Sequence, residues 1–316
     1  MSFTLSTRAP FHLEATVRVL QRRPSNRVDR WEEGRYLRVL PAGQTNVLVE
    51  VRNRGTVEKP DLRVDILAGA PPAVLVPGLR RTLRHVLGLD VNPEPFQQMA
   101  EADARLRPTA LALRGLRPPR FADLFEAFAS VVPFQQVSLD AGIAILGRIV
   151  DAFAKTVDYA GGRFHAFPKA AAIARADVRA LRGCGLSTSK AQTLQQLARA
   201  CESGELDAER LSRMTTRDAL DALTKLPGIG PWSAALVLLR GLGRLDVFPP
   251  GDVGAMRSLG ALLHFPPGLP LRRAIERFGE WRGYLYFYGL GESLLRKGLI
   301  HPAAGERTRG LSAAGT

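Results

Sequence analysis

The sequence predicts an α+β chain in which an N-terminal antiparallel β-sheet domain is followed by a multi-helix domain. A change of rhythm predicts it: apolar and polar residues alternate with period two over the first 70 or so residues, and helical periodicity then runs almost to the end. Between the two regimes stands APPAVLVPG (70–78), with three prolines and a glycine. These features predict a sheet domain over 1–76 and a helical domain over 77–302, the latter as two helical subdomains with a cleft between them. The small, polar residues 303–316 are expected to form a flexible tail.

Four strands are expected, at FHLEATVRVL (11–20), RYLRVL (35–40), TNVLVEVRN (45–53) and DLRVDILA (61–68). Helices are expected over 77–89, 93–106, 121–132, 139–154, about 170–182, 189–204, 216–226, 231–242, 253–263 and 270–289, with no strand among them.

Composition narrows the partners. The 316 residues, 46% hydrophobic and 23% charged, suffice for two or three packed units and argue against disorder. Lys and Arg number 44 against 30 Asp and Glu, and the resulting +14 favours a polyanion. Nearly all the cations are Arg, with Lys only at 59, 155, 169, 190, 225 and 297. Arg grips phosphate oxygens bidentately, although a biased genome composition also raises its frequency. Two cysteines, Cys184 and Cys201, are too few for a disulfide framework, a structural zinc site or a four-thiolate cluster, and fit a reducing cytoplasm. His85, His165 and His264 lack metal-ligand spacing. No signal peptide is visible and no stretch approaches the roughly 20 apolar residues of a membrane span, so a cytoplasmic protein without a membrane partner is expected.

The most informative string is TKLPGIGPWSAALVLL (224–239), an amphipathic helix and an apolar helix joined by a turn with two glycines and a proline. Gly228 and Gly230 allow positive φ and close approach of a partner, and Pro231 suits a first helical position. The turn's N–H groups and the following helix start would form an anion site for a DNA phosphate, with Leu226 and Ile229 anchoring the turn. An isolated G-x-G would be read as a plain helix connection.

Leu226, Pro227, Gly228, Ile229 and Gly230 together resemble the hairpin of the helix-hairpin-helix DNA glycosylase superfamily. The segment LDVFPPGDVGAMRSLG (245–260) is similar to that family's Gly/Pro-rich loop and puts Asp252 at the position of its catalytic aspartate. FADLFEAFASVVPFQQVSLDAG (121–142) looks like the family's helix and DNA-penetrating turn, with Gln136 at the wedge position. With the N-terminal sheet included, the nearest resemblance is to the 3-methyladenine DNA glycosylase II type, over nearly the whole chain. It implies double-stranded DNA carrying a damaged base as the partner, a monomer, and no required cofactor. It also implies a monovalent ion, Na or K, on the backbone carbonyls of Thr224, Leu226 and Ile229.

The chemistry fits one carboxylate. Cleaving an N-glycosidic bond leaves positive charge on the sugar, which an aspartate beside C1′ in a water-poor pocket stabilises. Asp252 is equally suited to cap the helix starting at Val253, and the two roles are compatible. Asp246, the competitor, is assigned structural hydrogen bonding. Relatives that also nick the backbone carry a Schiff-base lysine two residues after the second hairpin glycine. Trp232 stands there, implying a monofunctional enzyme that leaves an abasic site. Trp232, Phe134 and Tyr288 are the expected base-pocket residues. The family's aromatic cleft looks depleted at Leu236, Val253 and Leu290, and a spacing of two sends Tyr284, Tyr286 and Tyr288 to different helix faces. RGCGLSTSK (182–190) is read as a helix connection or a further phosphate contact. Excision of alkylated purines is the first reading. A non-catalytic DNA-binding module and a glycosylase for oxidised or deaminated bases remain open beside it.

Overall fold

The computed structural model describes residues 1–263 and 271–303. His264 and the expected tail from 304 onward lie outside the described residues.

Strands β1 (Ser2–Leu5), β2 (Arg30–Glu32), β3 (Arg35–Ala42), β4 (Thr45–Asn53) and β5 (Leu62–Ala68) form one antiparallel sheet in the order β1-β5-β4-β3-β2. Its register sets Leu40 against Val47 and Val51 against Val64. One face carries Tyr36, Val49 and Val64 into the main core, and the other carries Leu37, Val39 and Leu48 into a smaller cluster with Phe164 and Ala166. Burial on both faces explains the near-continuous apolar runs of β3 and β4.

One expected strand is a helix. Residues 11–20 contribute to α1 (Leu13–Gln21), capped by His12, whose ring accepts from the Ala15 N–H. Leu13, Ala15, Thr16, Val17, Val19 and Leu20 are all buried, so no clean helical stripe shows. The β-branched Thr16, Val17 and Val19 imitate a strand, and tertiary packing overrides that propensity.

The second part holds α2 (Val76–Val86), α3 (Glu94–Ala102), α4 (Arg107–Ala112), α5 (Leu124–Ala129) and α6 (Leu139–Phe153). Contrary to expectation, a hairpin follows, β6 (Thr156–Tyr159) and β7 (Gly162–His165). Its two-residue turn has Ala160 at φ 48° and Gly161 at φ 76°, the pairing that matches strand twist, and Ala-Gly-Gly was the available signal. This hairpin supplies Phe164 to the outer face of the sheet.

The remaining helices are α7 (Ala170–Ala174), α8 (Val178–Gly183), α9 (Thr188–Glu202), α10 (Ala208–Arg213), α11 (Thr216–Thr224), α12 (Pro231–Val237), α13 (Val253–Leu262), α14 (Leu271–Glu276) and α15 (Arg282–Arg296). Helices α4 and α10 lie outside the sequence-based assignments. The single helix expected over 270–289 is divided into α14 and α15 around Gly279 at φ 52°. Helix α12 runs on into a π turn, Leu238–Leu242, closed by Gly243 in the left-handed region. Among the described residues, no helix is long and apolar enough to cross a membrane.

The main core is continuous from Val49 and Val64 of the sheet to Leu236 and Tyr284 of the helices. A charged cluster reinforces that junction. Arg38 of β3 donates to Asp29 at 2.7 Å and to Glu126 of α5 at 2.5 Å, and Tyr36 Oη donates to Asp29 at 2.7 Å.

Candidate active site and nucleic-acid interface

The turn between α11 and α12 is held from both sides. Gly228 adopts φ 77°, and a Cβ there would stand 2.3 Å from Thr193 Oγ1 of α9. Gly230 does not need positive φ; it caps α12 in an extended conformation at φ −88°, with Pro231 following. Ile229 is buried and its N–H closes onto the Leu226 carbonyl at 3.1 Å, while Pro227, Gly228 and Gly230 are exposed. Among the described residues the Gly228 and Gly230 N–H groups have no hydrogen-bond acceptor, which leaves them free for an anion.

The turn containing Gln136 packs beside this hairpin. Gln135 Nε2 donates to the Gly228 carbonyl at 2.8 Å and to Ser233 Oγ at 3.0 Å, and Lys190 Nζ donates to the Gln135 carbonyl at 2.6 Å. Burial lowers the Lys190 pKa from its ordinary value. Gln136 itself is exposed, at φ 55°, and projects from a clamped base. The clamp residues Gln135, Lys190, Thr193 and Ser233 were missed from the sequence, although Gln135 is adjacent to the selected Gln136. In the turn 182–190, Ser187 caps α9 and Arg148 Nε donates to the Cys184 carbonyl at 2.7 Å.

Next to the hairpin lies a cavity of about 230 Å³, lined by Asp252, Trp232 and Phe134 among others. Asp252 caps α13: its Oδ1 accepts the Ala255 N–H at 2.8 Å. Its Oδ2 accepts Trp232 Nε1–H at 3.0 Å. Both oxygens are thereby oriented by N–H donors, and the carboxylate serves as cap and cavity wall at once. Phe134 can lie where it does because α6 has Gly142, whose added Cβ would stand 2.3 Å from the Phe134 ring.

Tyr288 is not part of this cavity. It shares a face of α15 with Tyr284, stacks edge-on to Phe96 at 4.8 Å between centroids, and donates to Gln97 Oε1 at 2.8 Å. Tyr286, on the other face, lines the cavity instead, together with Leu290 one turn on. Of the other two aliphatic positions, Leu236 is core and Val253 is exposed. Asp246 is assigned to a different cavity, and its backbone carbonyl accepts Arg282 Nε. Helix α1 brings Val19 into the wall, with Arg22 and Arg23 just past its end, and the strand expected over 11–20 gave no reason to place this segment there.

A sheet-bearing helical fold with a glycine hairpin beside a carboxylate cavity defines a class of DNA repair proteins. The chain belongs to the HhH-GPD superfamily of base excision DNA repair proteins, whose family profile matches residues 129–279. The profile of the AlkA N-terminal domain matches residues 2–123. The chain is 34% identical to the DNA-3-methyladenine glycosylase of Bacillus subtilis (strain 168) over 203 residues, 63% of this chain and 67% of the relative. It is 27% identical to DNA-3-methyladenine glycosylase 2 of Escherichia coli (strain K12), over 89% of this chain and 94% of that one. Among solved structures, the 3-methyladenine DNA-glycosylase from Archaeoglobus fulgidus superposes with a TM-score of 0.76 at 28% identity, covering 95% of this chain and 100% of that one.

Proposed function

We propose that this chain is a monofunctional DNA glycosylase that flips alkylated purines out of duplex DNA and hydrolyses their N-glycosidic bonds, leaving abasic sites. The observation that carries this reading is the pairing of Asp252 with Trp232 in the cavity beside the hairpin. Asp252 stabilises the oxocarbenium-like sugar and orients the attacking water, and an alkylated purine, already cationic, leaves without a strong general acid. Trp232 occupies the position at which a lyase carries its Schiff-base lysine, and its indole holds the Asp252 carboxylate in place.

The Gly228 and Gly230 N–H groups bind a backbone phosphate, and Gln136 fills the gap that the flipped base leaves. Phe134, Trp232 and Tyr286 offer aromatic faces to that base. The carbonyls of Thr224, Leu226 and Ile229 would hold a monovalent cation: Thr224 ends α11, where helix carbonyls lack intrahelical partners, and the donor set is uncharged oxygen. Such an ion would add positive charge next to the phosphate. The described cavity wall comes from one chain, which supports a monomeric enzyme.

Incubation with methylated duplex DNA tests the reading. Release of methylated purines is expected, with strands intact until heat and alkali are applied. Breaks without alkali would overturn the monofunctional assignment, and tight binding without release would favour a binding module.

A further inference from the structure

The cavity at Asp252 is electrically unbalanced. Among its described lining residues Asp252 is the sole carboxylate, set against Arg22, Arg23 and Lys297. Arg23 is answered by Asp140, at 2.7 Å, and Lys297 is exposed. Arg22 has no such answer. It is half-buried, makes no ion pair among the described residues, and gives one guanidinium N–H to Tyr286 Oη at 3.2 Å, its other terminal N–H groups having no acceptor among the described residues. Its position is fixed: it caps α1 at φ 62° with its amide bonded to the Arg18 carbonyl, and its guanidinium lies 5.9 Å from the Phe134 ring centroid. The fully buried Arg240 shares a small void with it. Burial, and then Arg22, push the Arg240 pKa down to about 10, so Arg240 remains charged at neutral pH.

A guanidinium only donates, so its missing partner is an acceptor. A 6-oxopurine presents O6 and N7 along one edge, a pair that arginine engages bidentately, whereas a 6-aminopurine puts a donor in the place of O6. We infer that Arg22 is a specificity-determining residue that reads the O6/N7 edge of a flipped 6-oxopurine, favouring neutral hypoxanthine over cationic 3-methyladenine. This rests on the glycosylase reading above. In the hydrolysis the C1′–N9 bond breaks with its electron pair leaving on the base, and the water oxygen bonds to C1′. With 3-methyladenine the departing base is neutral and the water proton goes to solvent. Hypoxanthine departs as an anion until that proton reaches it, and donors at O6 and N7 answer the charge.

The test measures hypoxanthine and 3-methyladenine release from otherwise identical duplexes by wild type, Arg22→Met and Arg22→Gln. Arg22→Met is expected to lower the hypoxanthine-to-3-methyladenine ratio by about tenfold, and Arg22→Gln, which keeps N–H donors, by less. Thermal melts establish that each variant is folded, and where Arg22→Met is not, Arg22→Gln carries the same ratio test. An unchanged ratio overturns the inference and leaves the glycosylase reading standing. Release of neither base by wild type overturns that reading, and the inference falls with it.

Discussion

Arg38 and Arg22 are both held inside this molecule, and the fold treats them oppositely. The side chain of Arg38 is 1% exposed and faces two carboxylates, Asp29 and Glu126, with Tyr36 closing the set. Arg22 faces a hydroxyl, with another guanidinium nearby. Where the chain supplies the counter-charges, a buried cation joins two parts of the fold, here the sheet and α5. Where it leaves them out, the remaining donors are available to a molecule that is not part of the chain.

That contrast can be broken most severely at Arg38. Arg38→Met leaves Asp29 and Glu126 buried without a cation, and the unfolding free energy should fall by about 3–5 kcal/mol, measured by urea denaturation. A loss within measurement error would mean that the cluster does not join the two parts. The next effect is at the other end of the comparison. Asp252→Asn removes the one described carboxylate of the Arg22 cavity, and base release should fall on the order of 10²–10³-fold with duplex affinity retained. Undiminished release would remove Asp252 from the chemistry.

The hairpin was legible because its requirements are local. A turn that needs Gly228 at positive φ and a proline at the start of α12 writes them into consecutive residues. Asp252 was legible through the Gly/Pro-rich segment 245–260 that carries it, since a cap at a helix start alone reads as structural. The cavity wall was not. Beyond Trp232 and Phe134, which the resemblance implies, its residues Arg22 and Tyr286 come from two distant segments, and nothing in the local pattern of each says that they meet. Helix α1 is buried on most sides, which erases the periodic stripe that identifies a helix and concealed Arg22 with it. Choosing Tyr288 rather than Tyr286 was an error of rotation on one helix, settled only by Phe96 and Gln97 packing against the Tyr284 and Tyr288 face.

A smaller effect tests whether the hairpin has the same availability as Arg22. Ala at position 228 would be forced into the left-handed region, at about 1–2 kcal/mol, and its Cβ would meet Thr193 at 2.3 Å. Gly228→Ala should weaken duplex binding similarly across sequences and reduce the salt slope by about one phosphate. Gly230→Ala, with negative φ and no atom within 4 Å of the added Cβ, should change affinity far less. Equal effects of the two substitutions would show that the turn geometry is not what binds.

The smallest effect is a pH dependence within the Arg38 cluster, where two carboxylates share one guanidinium. Burial pushes the Glu126 pKa up from its ordinary 4.5 to about 7, with Arg38 pulling the other way. Between those values the folded chain holds a proton that the unfolded chain has released. Glu126 therefore contributes stability that is fully present below 4.5 and is lost as pH rises through about 7. The urea midpoint of wild type should fall more between about pH 5 and about pH 8 than that of Glu126→Gln, whose amide oxygen still accepts from Arg38 but cannot titrate. Parallel pH profiles would mean that Glu126 stays charged throughout, with both carboxylates of the cluster answered by Arg38 alone.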